Sequence, residues 1–233
     1  MKIPTFLLPP DTFERHYLAA RLARPFSPKT VLDVGGERGA LARFLKADIT
    51  AVNVDDSGDV EYDGSVLPFP DKSFDLLTAI DVLEHLAPSD RAGFLAELTR
   101  VARSAFIVAA PFGTPLHEEI EREAERLYAG TSGDMIRFLR EHLSNGLPTL
   151  PEINDIFKPY SPSLWFTGDC RLAFARARRG KYLSARIGQW GLPSTLLMIC
   201  LRGNWFRRHV LEDRPQDWTN RFYAVCDLRS DAS

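Results

Sequence analysis

Two short stretches hold residues whose types and spacing could do chemistry. In VLDVGGERGA, residues 31–40, an apolar run reaches Asp33 and then breaks into Gly35, Gly36 and Gly39. A strand that turns through glycines into a helix lets backbone amides approach a nucleotide-like ligand, because no Cβ intervenes. Glu37 stands where a glycine-rich pattern wants its middle glycine. In DVLEHLAP, starting at residue 81, Asp81, Glu84 and His85 fall close together. An unperturbed imidazole titrates near neutrality, so His85 is a candidate general base beside Asp81. The competing reading is that Glu84 and His85 merely cap and orient the turn leading to Pro88.

A glycine turn alone is weak evidence, and its surroundings add to it. VLDVGGERGALARFLKADITAVNVD, followed by YDGSVLPFPDKSFDLLTAIDVLEHL, resembles the class I S-adenosylmethionine (SAM)-dependent methyltransferases. It is most similar to the methyltransferase type 11 branch that includes the ubiquinone- and menaquinone-biosynthesis enzymes. The resemblance covers about residues 30 to 113. It implies SAM as cofactor, with Asp33 near its methionine end and Gly35, Gly36 and Gly39 turning the chain beneath it. The acid that would hold the ribose hydroxyls is ambiguous: Asn53 aligns best, and Asp55 is the other candidate on the same strand face. The triplet Asp63, Gly64, Ser65 resembles the adenine-side loop, with Val66 and Leu67 pressing on the ring. Asp81 would approach the cofactor from the rim. Asp81, Glu84 and His85 are also similar to the Glu-x-x-Glu-His metal site of some methyltransferase relatives, with His117 as a further ligand; aspartate in the first place leaves metal unassigned. Glu37 is read as benign, either facing outward from the first helical turn or paired with Arg38.

These residues need elements to position them. DTFERHYLAARLAR reads as an opening helix with a capping box of Asp11 and Glu14, ended by Pro25. Then TVLDV, ITAVNV, VEY, FDLLTAI and AFIVAAP read as strands, with helices from Ala40 to Lys46 and from Ser89 to Ala102 between them. Such alternation predicts an α/β fold with a doubly wound, mostly parallel sheet, seven-stranded with the two later strands and with helical insertions in the C-terminal half, and the resemblance implies its Rossmann-like form. Residues 1–113 form the SAM-binding core of a single domain spanning 1–233. Residues 114–233 are an elaboration: helices at PLHEEIEREAERLYAG, DMIRFLREHLSNG and LPEINDIF, strands at SLWFTGD and RFYAVCDL, and a basic insertion at about 170–211.

Composition bounds the rest. The 233 residues are 45% apolar and 11% aromatic, ample for a buried core. Three scattered cysteines indicate neither a disulfide framework nor a cysteine-built metal site, which favours a cytoplasmic protein. The proline-broken N-terminus lacks a signal-peptide core, and the apolar run LPSTLLMICL is about half of a bilayer span. There is no internal repeat. Residues 170–211 carry eight arginines and one lysine and no acid; without them the net charge of −2 becomes −11. Interleaved with aromatics, this block suits an anionic membrane surface, less well a nucleic acid, and otherwise a solvated face over core residues. REHLSNGLPTLPEI resembles methyltransferases found alongside bacterial glycan-assembly enzymes, which points to a small-molecule, saccharide or lipid-linked glycan acceptor. His16, His142 and His209 have no supporting constellation and are expected to be surface or satisfied core residues. Two other functions are open: a non-catalytic SAM-fold scaffold, with Glu37 as its lesion, and an RNA methyltransferase. Oligomeric state is not legible.

Overall fold

The structure is a computed structural model and describes residues 5, 8–129, 134–172, 174–175 and 210–229. Seven strands make one sheet: β1 (Thr30–Val34), β2 (Asp48–Asn53), β3 (Val60–Glu61), β4 (Phe74–Ile80), β5 (Ala102–Pro111), β6 (Ser163–Thr167) and β7 (Arg221–Asp227), in the order β3-β2-β1-β4-β5-β7-β6. The first five are parallel; β7 runs antiparallel between β5 and β6. Order reverses between β1 and β4, and the carboxyl ends of strands at such a switch point are where α/β sheets bind ligands.

Side chains alternate between the two faces of each strand, and each face has its own core. On one face Leu32, Val34, Leu77, Ala79, Phe106 and Val108 pack with Leu95 and Leu98 of helix α2 (Pro88–Val101). On the other, Val31, Leu76, Ile107 and Tyr223 meet Leu18, Ala19 and Ala23 of helix α1 (Pro10–Ala23). Strands buried on both sides read as nearly continuous apolar runs, and β4 and β5 do.

Three further helices follow β5: α3 (Pro115–Tyr128) packs on α4 (Asp134–Asn145), α4 lies against the turn after β4, and α5 (Leu150–Phe157) packs beside α2 with Ile153 and Phe157 in that face's core. No helix among the described residues is long and apolar enough to cross a membrane.

Two local expectations are corrected. Ala40 to Lys46 is not a helix: only a 3-10 turn forms, Leu41–Arg43. Burying Leu41 and Leu45 there already closes that flank, and so short a span gains little from further helical bonds. Nor do Asp11 and Glu14 form a capping box. Helix α1 begins two residues earlier than that reading needs, with Pro9 at the N-cap and no side-chain cap bond; a proline in the first turn has no N–H to satisfy.

Candidate functional site

Asp33 lies near the end of β1, 2% exposed, and its carboxylate accepts a 2.6 Å hydrogen bond from the Thr78 hydroxyl of β4. Burial pushes its pKa up to about 6, against the pull of that bond and of the Arg15 charge. The next residues wrap around it. Gly36 packs so closely that a Cβ there would collide with the Asp33 carboxylate. Gly35 has φ +73°, and a Cβ would strike Val82. Gly39 closes the turn. Glu37 is exposed, and Arg38 is spent elsewhere: its Nε donates to Asp59 at 2.9 Å and its Nη2 to the Gly58 carbonyl. Of the two readings of Glu37, the outward one describes what is observed, and the pairing with Arg38 is not formed.

Asn53 ends β2 beside this loop. Its amide donates to the Gly35 carbonyl at 3.3 Å and to Ser57 at 2.9 Å, while its Oδ1 accepts from the Val54 amide. Asp55 lies on the exposed turn beyond, accepting from the Ser57 amide. The Ser57 bonds hold its pKa below the usual carboxylate range. Asp63 does the same in its own loop, accepting from the amide and hydroxyl of Ser65, with Gly64 at φ +84° between them. Two valines at this edge are conspicuously open: Val54 is 59% and Val66 62% exposed, whereas Leu67 is buried. Val54 is absent from the sequence-based candidates; an apolar residue following a polar strand end is the only signal it carries.

At the end of β4 the chain enters Asp81 with φ +58°, a left-handed conformation that aspartate tolerates better than most residues. Both carboxylate oxygens are held by arginines, Arg15 of α1 and Arg221 at the start of β7. Burial alone would raise its pKa, but the Arg221 and Arg15 guanidiniums hold it down at about 2. Asp11 joins both arginines at 3.6 Å, making a quartet of alternating charge. Neither arginine was legible, since they lie 66 and 140 residues from Asp81.

The 3-10 turn Leu83–His85 follows. Glu84 is 1% exposed; burial first, and then the Asp81 charge, push its pKa well above the ordinary carboxylate value. Its Oε2 has no hydrogen-bond partner. His85 Nδ1 meets Glu141 of α4 at 2.8 Å, while burial lowers its pKa against that bond. Arg91, fully buried in α2, fastens the assembly: it donates to the Leu83, Leu86 and Gly146 carbonyls and pairs with Glu152 of α5 at 2.6 Å. Asn145 of α4 adds a 2.9 Å bond to the His85 carbonyl.

His142 is therefore misplaced in the sequence reading. It stands against His85, ring centroids 4.9 Å apart, with Nδ1 2.9 Å from Glu121 of α3 and Nε2 buried without a partner. His117 is not in this group: its Nδ1 pairs with the Phe112 carbonyl at 2.8 Å. His16 is a satisfied core residue, bonded to the Thr12 carbonyl. His209 and most of the basic insertion, residues 176–209, lie outside the described residues.

Residues 32–108, from β1 into β5, match the family model described as a methyltransferase domain. No curated protein matches the chain. Among solved structures, a candidate sarcosine dimethylglycine methyltransferase from Galdieria sulphuraria superposes with a TM-score of 0.55 at 16% identity, over 90% of this chain and 84% of that one. The plantazolicin methyltransferase BpumL, in complex with a pentazolic desmethylPZN analog and S-adenosylhomocysteine (SAH), gives 0.52 at 12% identity, over 95% and 86%. A Haemonchus contortus phosphoethanolamine N-methyltransferase 2 gives 0.52 at 12% identity, over 94% of this chain and 56% of that longer one. At such identities the likeness is one of fold. The chain shares with these methyltransferases their Rossmann-like fold.

Proposed function

We propose that this chain is an enzyme that transfers a methyl group from SAM to an acceptor held over the carboxyl ends of β1 and β4, releasing SAH. The observation that carries the reading is Asp33: a carboxylate buried at the switch point, wrapped by Gly35, Gly36 and Gly39, feels the charge of Arg15 only at a distance, because Arg15 is paired with Asp81. An uncompensated buried charge is costly, and the ammonium and sulfonium end of SAM supplies what is missing. When bound, SAM brings an electrophilic methyl on a good leaving group, so the residues around it need mainly to align the acceptor and exclude water.

The assignments follow from placement. Asn53, at the end of β2 and fixed against Gly35, is the better candidate for the ribose than Asp55, which faces solvent from its turn. Asp63, Gly64 and Ser65 border the adenine side, with the open valines Val54 and Val66 offering it apolar faces. Asp81 and His85 border the acceptor; His85, its pKa lowered by burial, is neutral at pH 7 and offers a lone pair on Nε2. The acceptor is a small molecule, of which a saccharide or lipid-linked glycan is the form the sequence favours. The basic insertion would then bring a cytoplasmic enzyme to an anionic membrane surface.

Calorimetry with SAH and a transfer assay with labelled SAM test this reading. One SAH should bind per chain, and Asp33→Ala should weaken it more than Asp55→Ala. The opposite order refutes the loop assignment, and SAH binding without transfer to any acceptor of a glycan and small-molecule panel favours a scaffold.

A further inference from the structure

Glu84, His85 and His142 come from a turn and a helix far apart in sequence, yet one ligand atom from each lies within 4.8 Å of the others. Their hydrogen bonds define what those atoms are. The Nδ1 of His85 lies against Glu141 and the Nδ1 of His142 against Glu121, each within hydrogen-bond distance. A carboxylate accepts, so each Nδ1 carries the proton and each Nε2 presents a bare lone pair. Glu84 adds a carboxylate oxygen. Two of the available atoms, Glu84 Oε2 and His142 Nε2, are buried with no hydrogen-bond partner, and an ion that displaces the Glu84 proton would satisfy both. Buried polar atoms are nearly always satisfied.

We propose that these three residues hold a divalent transition-metal ion of the Zn2+ class. Two imidazoles and one carboxylate are the donors such ions prefer, and three protein ligands leave positions open for an acceptor oxygen. Carboxylates behind ligating histidines, here Glu141 and Glu121, fix the tautomer and raise ligand basicity. Tetrahedral ligands at about 2.1 Å from zinc lie about 3.4 Å apart, so the cluster need only close by about an ångström. Rigidity is in place: Arg91 and Asn145 tie the turn bearing Glu84 and His85 to the helix bearing His142. Asp81, held by two arginines, and His117, bonded to Phe112, are not ligands.

The inference rests on the methyl-transfer reading only for its purpose. There the ion would take the Nε2 lone pair of His85 and polarise an acceptor hydroxyl, whose proton would pass to solvent water as the oxygen takes the methyl group and SAH leaves. The acceptor would then be an oxygen nucleophile.

The test uses the full chain, stripped with chelator and titrated with Co2+ by absorption and with Zn2+ by calorimetry. One equivalent should bind, with a dissociation constant of about 10 µM or below, on the order of −7 kcal/mol. Glu84→Gln and His142→Gln should each weaken it at least about 30-fold, while His117→Gln should bind as the parent does. If Glu84→Gln does not fold, His85→Gln carries the same test. No binding at millimolar Co2+ or Zn2+, or binding indifferent to these substitutions, overturns the site. SAH affinity measured on the stripped protein separates the two readings: SAH binding without metal binding refutes this inference alone.

Discussion

Replacing Asp33 by asparagine should make the protein more stable and less able to bind its cofactor. The carboxylate's pKa is about 6 in the fold, against 3.8 unperturbed, with burial the cause. For an acid whose folded pKa is raised, folding favours the protonated form. The resulting penalty is absent below about pH 4, grows between about pH 4 and 6, and is complete above about pH 6. At about 1.4 kcal/mol for each pH unit, a rise of that size corresponds to about 3 kcal/mol. Asparagine keeps an oxygen for the Thr78 hydroxyl and carries no charge, but it also loses the attraction of Arg15. A net gain of about 2 kcal/mol at pH 7, or roughly 4–8 °C in Tm for a chain of this size, is expected. It should vanish at about pH 4. Cofactor binding runs the other way: the ammonium of SAH needs the ionised carboxylate, so parent affinity should rise about tenfold per pH unit up to about pH 6 and then level. Thermal denaturation from about pH 4 to 8 and calorimetry with SAH, on both proteins, check the two halves. A destabilised Asp33→Asn at pH 7, or unchanged SAH affinity, refutes the reasoning.

Three other outcomes follow from particular side chains. Arg91→Met should cost about 3–5 kcal/mol in urea unfolding, because it strands the Leu83, Leu86 and Gly146 carbonyls and Glu152; a loss under about 1 kcal/mol would show that the turn is held otherwise. Glu37→Gly should change SAH affinity by less than tenfold, about 1.4 kcal/mol, since Glu37 faces solvent; a larger gain would mean it obstructs the cofactor. Replacing Arg176, Arg178 and Arg179 with glutamine should weaken co-sedimentation with anionic liposomes by about 1 kcal/mol per residue, and salt should weaken it in the parent; stronger binding to RNA at equal ionic strength would refute the membrane reading.

What could be read from sequence is what short-range physics controls. The strands of the sheet announce themselves as apolar runs broken by turn residues, and the helices α2 to α5 by periodicity, helped in α2, α3 and α5 by a proline in the first turn. The loop of Gly35, Gly36 and Gly39 was legible from the pattern around it, since glycines after a strand would by themselves serve any tight turn. Ala40 to Lys46 misled because its period is helical while its length is marginal, and two buried leucines decide the outcome. The site's long-range partners were silent. Arg15 looks like any charge on an amphipathic helix, and Arg221 like a polar flank of a strand; only the sheet brings both to Asp81. His142 had no acidic or histidine neighbour at metal spacing in its own helix, and its partners Glu121 and His85 arrive from α3 and from the turn after β4.

Asp81 and Glu84 show how two acids three residues apart acquire opposite characters. The left-handed backbone at Asp81 turns its side chain toward α1 and β7, where Arg15 and Arg221 keep it ionised. The turn then carries Glu84 toward α4, where among the described residues no cation pairs with it and burial favours its neutral form. Environments that drive the pKa values of neighbouring groups apart are how folds separate chemical roles. The separation also limits what the site can bind. With Asp11 included, the two arginines face two carboxylates, so the quartet has no net charge and offers an anionic acceptor no unpaired cation. Cationic demand is concentrated at Glu84 and the two imidazoles beside it, and at Asp33 on the cofactor side. On the proposed reading, an acceptor beside this quartet would be held more by its shape, its hydroxyls and whatever cation Glu84 recruits than by a negative charge of its own.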